Sequence, residues 1–179
     1  MARGFCEQVV SSGENGPTLT NSAAATSILP AARKIPIPVP YFDDLGDTID
    51  IYAAGALSTP GSTPGTLTFD VRFGSTVVFN GGASPTLATS ASSLTWELFI
   101  HLQCTTIGTS ATVKGSGHLL SAALSATTPI MLLPASGMAN GTAFDATAVQ
   151  TLDLFATFSA TSGSLILICH KYAARFATV

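Results

Sequence analysis

The chain is 179 residues long, 46% hydrophobic and only 9% charged, with a net charge of -3. Soluble domains carry about 25% charge, so much of this surface is expected to lie against other subunits. The seven Lys and Arg residues are scattered from Arg3 to Arg175, which argues against a nucleic-acid binder, and each apolar run is cut well short of the roughly 18 residues that a transmembrane helix needs.

The first 16 residues place Cys6, Glu7, Gln8 and Glu14 where a cleaved signal would need an apolar core, which implies folding in a cytoplasm. Residues 23–29 read as a short strand. Next, Ile35, Ile37 and Val39 alternate with Pro36, Pro38 and Pro40. Proline supplies no ladder donor, so this stretch is expected to run as an extended arm, docked on a neighbouring subunit or crossing the domain's own edge. On that basis residues 1–47 form an N-terminal arm with a Pro-rich extended segment, and residues 48–179 form one folded domain.

From residue 48 onward the apolar period is two. Residues 48–58 set Ile49, Ile51, Ala53 and Leu57 against Asp50, Tyr52 and Ser58. Residues 66–73 give the clearest alternation, with Leu67, Phe69, Val71 and Phe73 on one face. Residues 76–80 follow Gly74 and Ser75 as the hairpin partner, closed at the far end by Asn80, Gly81 and Gly82. Residues 94–104 put Trp96, Leu98, Ile100 and Leu102 on one face and Glu97, Phe99 and His101 on the other, and this length implies a bend or bulge. Residues 111–120, 150–159 and 164–176 complete the set, with short turns expected at 121–126 and 143–148. About eight strands and no capped helix predict an all-β, single-domain antiparallel β-sandwich, jelly-roll-like, with an extended N-terminal arm.

The chemistry-bearing residues are few. Cys104 and Cys169 fall at buried positions of their strands and are read as core packing; with Cys6 they make an odd, widely spaced set that fits neither a disulfide framework nor a zinc site. His101 shares a polar face with Glu97, and His118 and His170 could approach them. No nucleophile elbow, metal-binding helix or phosphate loop accompanies them, so no catalytic residue, cofactor or metal is assigned. The cluster Asp43, Asp44, Asp47 and Asp50 could hold calcium, but it lacks the full ligand pattern and reads as a solvated turn. Asn140, Gly141 and Thr142 match a glycosylation sequon and, without secretion, read as a plain loop. Glycan binding would fall to Trp96, Tyr41, Tyr52 or Tyr172, with Trp96 on the apolar face of its strand. Candidate interface residues are Ile35, Pro36, Ile37, Pro38 and Val39 of the arm and the outward apolar Phe99, Ile166, Ile168 and Tyr172.

The ordered phrases LPAARKIPIPVPYFDDLGDTIDIYAAGALST, TPGTLTFDVRFGSTVVFNGG, TWELFIHLQCTTIGTSATVKGSG and TLDLFATFSATSGSLILICHKYAARF resemble a family of small virion structural proteins of tailed bacteriophages. The resemblance implies a β-sandwich on the particle exterior, made in the host cytoplasm. Its expected role is a capsid decoration (cement) protein that bridges major capsid subunits, the alternative being a tail or head-fibre module that binds a host receptor or glycan. Homo-oligomerisation is expected from the charge deficit, with a trimer favoured because such sandwiches often assemble around threefold axes.

Overall fold

The computed structural model describes residues 5–124 and 129–179. Within them lie twelve strands: β1 (Phe5–Ser12), β2 (Leu19–Thr20), β3 (Thr26–Ser27), β4 (Ile35–Ile37), β5 (Thr48–Ser58), β6 (Leu67–Phe73), β7 (Thr76–Ala83), β8 (Leu94–Thr106), β9 (Thr112–Ser121), β10 (Ile130–Leu133), β11 (Gln150–Phe158) and β12 (Ile166–Thr178). They build two antiparallel sheets. The larger runs β1-β12-β5-β8-β9-β10 with β2 on the β12 edge, and the smaller runs β3-β11-β6-β7 with β4 beside β11. The pairs β5·β12 and β6·β11 are nested, the outer pair in one sheet and the inner pair in the other, which is the jelly-roll feature of the sandwich. On the other side of β5, β8, β9 and β10 continue as a meander.

Alternation decides which face is buried. Ile49, Ile51 and Leu57 of β5 and Trp96, Leu98, Ile100 and Leu102 of β8 turn inward, opposite Leu67, Phe69, Val71 and Phe73 of β6 and Leu152, Leu154 and Phe158 of β11. The Phe69 and Trp96 rings meet across the sandwich with centroids 5.2 Å apart. One end is closed by an aromatic group in which Phe42 and Phe73 both pack on Phe144, at 5.4 and 4.8 Å. Cys104 and Cys169 are free, buried thiols, as their strand positions imply.

The segment 1–47, expected as an arm, is woven into both sheets over its described part. β1 and β2 pair with β12, and β3 and β4 pair with β11. The prolines are accommodated because β4 is an edge strand: Pro36 and Pro38 point out, while Ile35 and Ile37 enter the core. Another difference lies at residues 80–82, where β7 continues instead of turning. Gly82 adopts φ +77° beside register shifts in the β6·β7 ladder, and the Asn80 side-chain oxygen accepts the Gly82 N–H at 2.8 Å, so the Gly pair serves bulges rather than a hairpin loop. The turn expected at 121–126 is present as far as Leu124; residues 125 and 126 lie outside the described residues, as does the Cys6 side chain.

Candidate binding face

The outer face of the smaller sheet spends its charges on itself. Asp70 receives both the Nε and an Nη of Arg72, at 2.6 and 3.3 Å. The same guanidinium lies over the Phe155 ring, 4.0 Å from its centroid. Asp153 is met by the Lys34 ammonium at 2.7 Å and accepts the Ser27 hydroxyl at 2.8 Å. Both carboxylates are buried and partnered, an arrangement that ties β3, β6 and the residue preceding β4 to β11 and leaves little to offer a ligand.

The outer face of the larger sheet is different. Tyr52 on β5 stands directly opposite Phe99 on β8, which stands opposite His118 on β9. The Phe99 and His118 rings lie 5.7 Å apart and tilted by 30°, so three rings form a row across three strands. Tyr52 is 37% exposed, enough to present its ring to solvent. On one side of the row, the Asp50 carboxylate lies 2.6 Å from His101 Nδ1, and Arg175 stands opposite Asp50 on β12. On the other side stands Glu97, close enough to act on the Tyr52 hydroxyl. Partial burial, then the charge and hydrogen bond of Glu97, raise that phenol above its ordinary value, so Tyr52 stays a neutral donor.

Three open depressions share Tyr52 as a wall. One, of about 300 Å³, is lined by Asp50, Tyr52, Phe99, Ala173 and Arg175. A second, of about 210 Å³, includes Thr95, Glu97, His170 and Lys171. The third, of about 310 Å³, runs toward Ser11, Ser12 and Gly13. A larger groove of about 350 Å³ beside β7 contains Asn80 and Asn140 but no ionisable side chain, and its Phe79 is buried, so it has fewer discriminating contacts.

Of the four aromatics weighed for glycan contact, Tyr52 is the exposed one: Trp96, Tyr41 and Tyr172 are buried. Trp96 donates its indole N–H to the Ala56 and Ile168 carbonyls, each at 3.3 Å. Among the interface candidates, Ile35, Ile37 and Tyr172 are core residues and cannot reach a neighbour. Pro36, Pro38 and Val39 are exposed; Phe99, Ile166 and Ile168 are half-buried. Tyr172 turns inward because a bulge between Cys169 and Lys171 reverses the side-chain parity of β12, so Leu167 and Cys169 face the core before it and Tyr172, Ala174 and Phe176 after it.

The histidines do not converge. His101 pairs with Asp50, His118 stacks on Phe99, and His170 Nδ1 meets Asn15 at 2.7 Å. The four aspartates also separate: Asp43 and Asp44 are exposed, Asp50 belongs to the sheet face, and Asp47 is buried, accepting the N–H groups of Asp44 and Val179 at 3.0 and 3.3 Å. Among the described residues no group of three His, Cys, Asp or Glu is placed to hold a metal, and no helix is long and apolar enough to cross a membrane.

No protein-family model and no curated protein matches this sequence. Among solved structures, the chain is similar to the CBM2 module of the evolved Dit of Lactobacillus casei BL23 phage J-1, at 12% identity and TM-score 0.36, covering 82% of this chain and 69% of that one. It is also similar to peanut lectin in complex with a 9mer peptide, at 7% identity and TM-score 0.37, covering 100% and 99%. Likeness at this level carries no argument about what this chain binds.

Proposed function

We propose that the chain is a non-catalytic binding module that takes a carbohydrate on the outer face of its larger sheet. The observation that carries this reading is the solvent-facing Tyr52-Phe99-His118 row, with Tyr52 exposed and Phe99 and His118 half-buried, flanked by Asp50 with His101, Arg175 and Glu97. A sugar ring has an apolar C–H face that packs on aromatic rings and a rim of hydroxyls that need paired donors and acceptors, and carboxylates beside Arg and His supply both. The face is shallow and open, which suits a chain of sugar units better than an enclosed small molecule.

The particle context rests on the sequence resemblance: a virion component of the appendage kind that meets a host-surface glycan. The second reading, a decoration protein bridging major capsid subunits, draws on the low charge, but Ile35 and Ile37, the arm residues meant to dock on the shell, are occupied in the protein's own core.

Calorimetric titration of the full chain with a panel of neutral and acidic oligosaccharides tests the proposal. Binding by at least one of them is expected, with Tyr52→Ala and Phe99→Ala each weakening it about tenfold, roughly 1.4 kcal/mol, and leaving the melting temperature within a few degrees of wild type. A silent panel, or full affinity in both variants, would overturn it.

A further inference from the structure

β10 ends the larger sheet among the described residues. Its ladder to β9 has Ile130 opposite Leu120 and Leu132 opposite His118, and the Ser121 N–H donates to the Pro129 carbonyl at 2.8 Å. In an antiparallel ladder, hydrogen-bonded and non-hydrogen-bonded pairs alternate. The Ser121-Pro129 pair is bonded, so Met131 and Leu133 also bond to β9, and the N–H and C=O groups of Ile130 and Leu132 face away from it. The same two residues carry exposed apolar side chains, Ile130 at 53% and Leu132 at 74%, with Leu120 beside them at 39%.

We propose that Ile130–Leu133 is a homodimer edge, pairing antiparallel with the same strand of a second copy about a twofold axis at Met131. That register sets Ile130 of one copy opposite Leu132 of the other, twice, and makes four N–H to C=O bonds, satisfying every backbone group the two residues turn outward. The strand's own chemistry selects a second copy as the occupant. The edge is complementary to its own inverse, it is uncharged along all four residues, and the pairing sets Leu120, Ile130 and Leu132 of one copy against the same three of the other with no like charges brought together. Natural sheets protect exposed edges with Lys or inward charge; Ile130–Leu133 carries neither, and Pro129 and Pro134 confine the pairing to these four residues. The pairing is isologous and closes at two. It also joins the outer faces of two larger sheets, placing two Tyr52-Phe99-His118 rows on one surface.

The test is the mass of the full chain in solution by sedimentation equilibrium at tens of micromolar. Twice 18.2 kDa is expected for wild type and 18.2 kDa for Leu132→Lys. Ile130→Glu is the second variant, and both should keep the wild-type circular dichroism and a cooperative melt, since both side chains are exposed within one copy. A wild-type mass of 18.2 kDa, a trimer, or a folded variant that stays dimeric would overturn the proposal. The mass is read without sugar, so failure here is distinct from failure of the carbohydrate reading.

Discussion

Two buried thiols make the fold sensitive to alkali. Cys169 is pushed up to about 11 by burial, against the lowering effect of backbone hydrogen bonds that include one to Lys171. Cys104 is pushed up to about 11 by burial and then by the Asp47 carboxylate, against a lowering backbone hydrogen bond at Thr106. An unfolded thiol loses its proton near pH 9, so between there and pH 11 the unfolded chain binds fewer protons than the native one. The stabilisation is therefore complete below about pH 9 and is lost as pH rises toward 11. Burial raises the Tyr172 phenol as well, adding to the loss at the upper end. The melting temperature of wild type should fall between about pH 8.5 and pH 10 more steeply than that of a Cys104→Ala, Cys169→Ala double variant. Parallel slopes would show that other groups govern the decline.

Among the elements, β12 carries the most consequential irregularity. Gly55 of β5 stands opposite its bulge, and a Cβ there would lie 1.9 Å from the Ile168 carbonyl oxygen, an atom of the backbone that cannot swing aside. The same carbonyl accepts the Trp96 indole N–H, so the bulge, the glycine and the tryptophan form one arrangement at the centre of the larger sheet. Gly55→Ala should cost about 3 kcal/mol or more, or abolish soluble expression, and a melting temperature within a few degrees of wild type would refute this. The strands themselves were legible in the pattern: Thr48–Ser58 agrees at both ends with the alternation of Ile49, Ile51, Ala53 and Leu57. The bulge was not legible. It is one residue of backbone with no composition of its own, and it inverts every side chain that follows, which is why Tyr172 is a core residue in a strand whose apolar positions suggested an outward face.

At the scale of the molecule, the described part of residues 5–47 belongs to the sandwich. Read as an arm, Ile37 predicts that Ile37→Asp leaves the fold intact and weakens assembly. In the structure Ile37 is 3% exposed, so the substitution places a carboxylate in the core and should lower stability by about 3 kcal/mol or more. Thermal melts of Ile37→Asp beside the exposed control Val39→Asp distinguish the two: equal melting temperatures would restore the arm, and a large drop confined to Ile37→Asp fits the woven sandwich. The candidate face shows the same dependence on long-range pairing. Tyr52 and Phe99 were recognisable as aromatic residues on otherwise polar strand faces, but Asp50 read as part of an acidic turn and Arg175 as a scattered cation. They become neighbours only because β5 lies between β12 and β8.

The sequence by itself determined the fold class and most of the strands, since period-two alternation is a local property and burial of one face follows from it wherever the strand ends up. It also determined the fate of Trp96, Cys104 and Cys169, whose positions lie on apolar faces. Tertiary structure decided strand order, the bulge that reverses β12, the capture of Ile35 and Ile37 by the core, and the meeting of Tyr52, Phe99 and His118. These depend on which distant segments pair and in what register, and pairing is chosen by the summed burial of two whole sheets rather than by any one segment.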